Sequence, residues 1–161
     1  MAAENQIETG LLKDRHILLS LDESENSKRA LIYTAEMLGG IEGFRATLLH
    51  IIPEPPEDYF PSDSERHKWI EEKVFSGTQL LEKYSEQLVQ AGFEKNKIQP
   101  LVEVRKCTSI AECIVDVQKQ LNCCTVIVGR RGISKKEEFI FGSTSSKLLH
   151  SLKSCAIWVI E

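Results

Sequence analysis

The feature that most constrains this chain is a repeated change of hydrophobic period. Short, nearly continuous apolar runs at residues 16–21 (HILLSL), 46–52 (ATLLHII), 98–104, 123–128 (CCTVIV) and 155–160 (CAIWVI) alternate with segments of helical spacing. In Glu25–Leu38 the helical face is Leu31, Ala35 and Leu38. Between Ser62 and Gly92 it is Ile70, Val74, Leu81, Tyr84 and Leu88, and after Ser109 it is Ile110, Ile114, Val117 and Leu121. Residues 143–152 form a last helical segment. The runs are too apolar for a sheet wetted on one side. Strands buried on both faces and joined by helical crossovers belong to parallel sheets. The order β-α-β-α-β-α-β-α-β therefore predicts a single doubly wound α/β sheet of five parallel strands with helices on both faces.

Local punctuation agrees with this reading. Ser62-x-x-Glu65 and Ser109-x-x-Glu112 are capping boxes, and Asp22-Glu23-Ser24 is suited to cap the first helix. Gly39-Gly40 and Gly92 stand where helices should stop. Pro53, Pro55, Pro56 and Pro61 enforce a loop, while Pro100 removes a ladder donor and predicts an edge strand. No repeat or internal boundary divides the 161 residues, so one domain spanning 1–161 is expected, with 1–13 as an N-terminal extension.

Composition excludes several classes. With 20 Lys and Arg against 24 Asp and Glu, the net charge of -4 does not suit non-specific DNA or RNA binding, which needs a basic face. No apolar run approaches the roughly 18 residues of a membrane span, and the first residues lack the pattern of a signal peptide. A cytoplasmic location is expected. The five cysteines are an odd set without a CxxC pair, which predicts reduced, packed thiols; a redox sensor is the functional alternative. The four histidines have no metal-ligand spacing and read as structural.

In open parallel sheets, ligands bind beyond the carboxyl ends of the strands, where strand order reverses. The segments that follow the runs are thus the ones to inspect. After the fourth run comes Gly129-Arg-Arg-Gly132, then Lys135-Lys136, then Gly142-Ser143-Thr144 opening a helix. Glycines allow close backbone approach, a helix N-terminus presents unpaired N–H groups, and the hydroxyls and cations complete a phosphate cradle. The alternative is a solvated loop before an ordinary capped helix.

The spacing Gly129-x2-Gly132-x9-Gly142-Ser143 resembles the G-2x-G-9x-G-(S/T) pattern of ATP-binding universal stress proteins. The likeness extends to Leu21-Asp22 after the first strand, to Leu48-Leu49-His50-Ile51 in the second, and to the apolar last strand. It implies strand order 3-2-1-4-5 and a nucleotide site formed by Leu21, Asp22, Ile51, Gly129, Arg130, Gly132, Gly142, Ser143 and Thr144. Asp22 would lie near ribose and phosphates, with Mg²⁺ or Mn²⁺ as the implied bridging cation. Ile51 would read the adenine edge through its backbone, Gly129 and Gly132 would line the ribose-phosphate turn, and Gly142, Ser143 and Thr144 would hold phosphates. The implied cofactor is ATP, with ADP or AMP open, and the implied partners are a second copy paired through Ala156–Ile160 and a regulatory protein.

The chain departs from the pattern twice. Lys106-Cys107-Thr108 stands where many members carry Gly and a small residue, and Glu23 follows Asp22. Other nucleotide-handling classes lack their signatures. There is no GxxxxGK[ST], no SGGxDS or HxGH after the first strand, and no acidic-then-Lys pair at the strand ends of a receiver domain. No histidine accompanies the cradle to act as a base. The expectation is a nucleotide-dependent regulatory switch in a stress response, with at most slow hydrolysis; the alternative is a homodimeric scaffold that binds no nucleotide.

Overall fold

The strands and helices follow one another in the expected order. The computed structural model describes residues 15–130 and 143–161, with Ser143 described in its backbone only. The strands are β1 (Arg15–Ser20), β2 (Phe44–Pro53), β3 (Ile98–Arg105), β4 (Thr125–Gly129) and β5 (Ala156–Ile160). The helices are α1 (Glu25–Leu38), α2 (Asp63–Gln90), α3 (Ile110–Leu121) and α4 (Ser143–Ser151), with a 3-10 turn at Lys95–Lys97. Every ladder is parallel and the sheet order is β3-β2-β1-β4-β5. Pro100 accordingly lies in an edge strand, where its missing donor costs nothing on the open side.

The two-residue period of the strands builds two cores. Ile17, Leu19, Leu48 and Ile127 face one side and pack with Leu31 of α1 and Leu81, Tyr84 and Leu88 of α2. Leu18, Leu49, Val126 and Val128 face the other side and pack with Ile114 and Val117 of α3 and Leu148 of α4. This double burial is why the runs read as continuously apolar.

The caps form as their sequences require. Ser24, Ser62 and Ser109 each accept a hydrogen bond from the N–H three residues on. Gly92, just past α2, takes φ +107°, and a side chain there would run into the backbone of Gly40. The fourth strand begins at Thr125 rather than Cys123. Asn122 in left-handed conformation ends α3, the Cys123 N–H bonds back to Gln118 O, and the Gln118 side chain holds Cys123 O.

One cysteine expectation is corrected. Cys107 and Cys113 form a disulfide, while Cys123, Cys124 and Cys155 are free. The spacing gave no hint of pairing, because the bond depends on the turn at Ser109. That turn reverses the chain between β3 and α3 and brings the two Cα atoms to 6.0 Å, an ordinary disulfide span. Two histidines serve the fold away from the carboxyl ends of the strands: His16 bonds Thr47 at 2.7 Å in the core, and His67 bonds the carbonyl of Asp63 at 2.8 Å.

Candidate functional site

Strand order reverses between β1 and β4, since β1 connects through α1 to β2 on one side and β4 lies on the other. A cleft opens at their carboxyl ends. Its lining combines apolar residues, Leu21, Ile51, Ile110, Ile114 and Val128, with polar ones, Asp22, Ser24, Ser27, His50, Thr144 and Ser145 among them. The N-terminal ends of α1 and α4 supply Ser24 and Thr144 to this lining, so both helix dipoles place positive potential at the cleft.

The β1–α1 turn is held by a closed set of hydrogen bonds. The Leu21 N–H continues the ladder to Leu49 O at 2.8 Å, and Leu21 O accepts from His50 Nδ1 at 2.9 Å. The carbonyl is acceptor-only, so His50 must carry its proton on Nδ1. The Asp22 N–H donates to Ser27 Oγ, and Tyr84 donates its hydroxyl to Asp22 O at 3.1 Å. Asp22 Oδ1 accepts from both the Ser24 N–H and the Ser27 hydroxyl, at 2.9 and 2.8 Å. Asp22 thus organises the start of α1 as an Asx turn as well as lining the cleft. From sequence Ser27 was not marked, Tyr84 was placed on the apolar face of its helix and His50 was read as structural; Ser27 sits five positions after Asp22, but the His50 and Tyr84 bonds span 29 and 62 positions.

Tyr84 is almost fully enclosed, and burial, with the negative charges of Asp22, Glu25 and Glu23 added, pushes its phenol above the ordinary value of 10.0. A raised pKa means that the folded state holds the proton longer than the unfolded chain. The contribution to stability is complete below about pH 10 and declines as pH rises from there through the folded pKa. Ultraviolet titration should therefore show a phenolate that forms late, and Tyr84→Phe should remove that late step. If the last ionisation is unchanged in the variant, the assignment to Tyr84 is wrong.

Ile51 enters the site by strand parity. Residues two apart in a strand present their N–H and C=O groups to the same neighbour. Leu49 faces β1 through its bond to Leu21, so the Ile51 backbone faces the same side, one step beyond the point where the chain turns into α1. The Ile51 side chain packs in the α3–α4 core beside Ile114 and Val128.

Gly129 closes the far wall. A Cβ there would lie 2.4 Å from the carbonyl carbon and oxygen of Asn26 and 2.8 Å from Ser27 N. The residue is thus required by the close approach of α1 to β4, apart from any ligand. Arg130 follows a different course. Its N–H bonds Ile160 O at 2.6 Å and its guanidinium pairs with Glu161 at 2.9 Å, along the β5 side and outside the cleft lining. Of the residues singled out from sequence, Leu21, Asp22, Ile51, Gly129 and Thr144 come together in one cleft. Gly132 and Gly142 lie outside the described residues, as does the side chain of Ser143.

For a cation, the donor set is thin. Among the described residues no three His, Cys, Asp or Glu side chains converge, and Asp22 is the sole carboxylate in the lining. Such a set fits a cation carried on phosphate oxygens better than one held by the protein itself.

Comparison with known proteins decides the family. The universal stress protein family profile matches residues 14–160. The chain belongs to the universal stress protein family. Its fold resembles that of the universal stress protein UspA from Lactobacillus plantarum, with TM-score 0.75 and 14% identity over 92% of this chain and 99% of that one. A universal stress protein from Archaeoglobus fulgidus in complex with dAMP has TM-score 0.62 and 17% identity, covering 92% of this chain and 99% of that one. Another universal stress protein, in complex with cAMP, has TM-score 0.66 and 14% identity over 92% and 98% of the two chains. At such identities the likeness is one of fold. No protein of curated function matches this universal stress protein. Among its described residues no helix is long and apolar enough to cross a membrane.

Proposed function

We propose that this universal stress protein binds an adenine nucleotide, ATP or its di- or monophosphate, in the cleft between β1 and β4 and acts as a nucleotide-dependent regulatory switch. The observation that carries the reading is the mixed chemistry of the cleft lining. Ile51, Ile110, Ile114 and Val128 give the lining an apolar surface suited to a purine, and Ser24, Thr144, Ser145 and two helix N-termini add polar groups suited to phosphates. The Ile51 backbone supplies a donor and an acceptor beside the apolar surface, matching a purine edge. The dAMP and cAMP complexes of related folds support the same choice of ligand.

Retention rather than rapid turnover follows from the two titratable side chains of the described lining. Asp22 Oδ1 already accepts two bonds, and His50 is held with Nδ1 on Leu21 O and its Cδ2–Nε2 edge packed against Gly77 of α2. Neither is disposed to orient water at a terminal phosphate. Occupancy would instead bias a surface seen by a regulatory protein partner. The proposed assembly is a homodimer through β5. That strand is a sheet edge with half-buried residues, and its Trp158 makes an edge-on contact with Tyr33, 5.9 Å between ring centroids.

The test is calorimetric titration of nucleotide-free protein with ATP, ADP and AMP, with GTP as comparator, on a preparation whose mass is measured by sedimentation. One adenine nucleotide per chain, discrimination against GTP and a dimeric mass are expected. Flat titrations would leave the dimeric scaffold as the better reading, and phosphate release at about 1–1000 per second would overturn the switch.

A further inference from the structure

The corner between β3 and α3 carries a chemistry that nucleotide binding does not use. Cys107 lies just beyond β3 and is half-buried; Cys113 lies on the first turn of α3 and is 1% exposed. Their disulfide encloses Ile110, a residue of the cleft wall, and Cys113 is followed by Ile114, another. Both cysteines pack into the cluster that contains Ile51, Ile114 and Val128, three members of the apolar lining. The bridge is therefore continuous with the cleft wall.

We propose that Cys107–Cys113 is a reversible thiol–disulfide site whose state sets the order of the cleft's apolar wall, oxidation tightening and reduction loosening adenine-nucleotide binding. The nucleotide half of this inference rests on the function proposed above; the redox half does not. The exchange balances with glutathione disulfide as oxidant. The more accessible Cys107 thiolate attacks it, forming a mixed disulfide and releasing one glutathione thiolate. Cys113, deprotonated, then attacks the Cys107 sulfur and expels the second. Two protein thiols are oxidised and one glutathione disulfide is reduced to two glutathiones.

The corner keeps other ties when the bridge opens. Ser109 Oγ accepts from the Glu112 N–H at 3.3 Å, and the Glu112 carboxylate accepts from the Thr108 N–H at 3.0 Å. The helix cap thus survives reduction, and what is lost is the covalent constraint across Thr108, Ser109 and Ile110. The expected result is a graded change in the wall, not unfolding.

The experiment compares native protein equilibrated with glutathione disulfide and with excess glutathione. It reads thiol alkylation by mass spectrometry, amide hydrogen exchange over residues 108–114, and AMP affinity. Cys107 and Cys113 should gain or lose label together, exchange should be faster in the reduced form, and AMP should bind about fivefold or more weakly to it. A Cys107→Ser, Cys113→Ala double variant should behave as the reduced form in both buffers. A pair that excess glutathione leaves intact, or identical exchange in the two states, overturns the proposal. So does a double variant that still responds, since the response would then belong to Cys123, Cys124 or Cys155. Altered exchange with equal AMP binding in both states overturns the coupling. Altered exchange with no adenine-nucleotide binding in either state upholds the redox site and removes the nucleotide reading instead.

Discussion

Gly129→Ala should lower the melting temperature of the protein by about 4–12 °C, the result of about 2–3 kcal/mol of overpacking in a domain of this size. The reason is geometric. The added Cβ would stand 2.4 Å from backbone atoms of Asn26, and a backbone contact cannot be relieved by a rotamer change. Either α1 moves away from β4 or the end of β4 bends. Both displace Ser27, which holds Asp22 in place, so nucleotide affinity should fall together with stability. Gly43→Ala is the control. Its φ is +90° with nothing within 4 Å of an added Cβ, so it should cost about 1–2 kcal/mol through backbone conformation alone and leave binding intact. Differential scanning calorimetry and AMP titration of both variants decide the matter. Equal melting temperatures for Gly129→Ala and the parent chain would show that α1 packs less closely than the structure has it.

The largest effect on binding is expected from Thr144→Asp, a loss of about 10–100-fold in ATP affinity. Thr144 is in the first turn of α4 and lines the cleft. An aspartate there complements the helix dipole, so the fold should keep or gain about 0.3–1 kcal/mol. Opposed to a phosphate, the same charge is repulsive, of order 4 kcal/mol per unit charge at about 4 Å in an effective dielectric of about 20. Solvent at the mouth of the cleft reduces that figure toward about 1.4–2.8 kcal/mol, each 1.4 kcal/mol being tenfold in affinity. Thr144→Val separates hydroxyl from charge and should weaken binding by roughly the worth of one hydrogen bond, about 1 kcal/mol. Adenosine should bind the aspartate variant as it binds the parent chain. If ATP does so too, the phosphates do not lie at α4.

Much of the architecture was legible before any coordinates. The five apolar runs became the five strands, because strands buried on both faces show no polar alternation, and Ile17, Leu18 and Leu19 are indeed buried on alternating sides. Ser62 and Ser109 cap their helices because a capping interaction is local, closed within three residues. Pro100 indicated an edge strand for an equally local reason, the absence of an N–H. The candidate site was partly legible. The general rule for open sheets indicated the strand ends, the glycines and hydroxyls after the fourth strand indicated a phosphate cradle there, and the family resemblance added Leu21, Asp22 and Ile51. The cleft gathers Leu21, Asp22, Ile51, Gly129 and Thr144, whereas Arg130 turns to Glu161.

The rest depended on contacts between residues far apart in the chain. His50 reaches Leu21, Tyr84 reaches Asp22 from the second helix, and Gly129 meets Asn26 across more than a hundred positions. Cys107 and Cys113 are close in sequence, yet their pairing depends on the direction in which the chain turns at Ser109, which composition and spacing do not encode. By itself, then, the sequence determined the class of fold and the capped starts of α2 and α3, because hydrophobic period and capping act over a few residues. Only the tertiary structure decided which side chains meet at the β1–β4 reversal and which thiols join, because those outcomes depend on how the finished elements pack against one another.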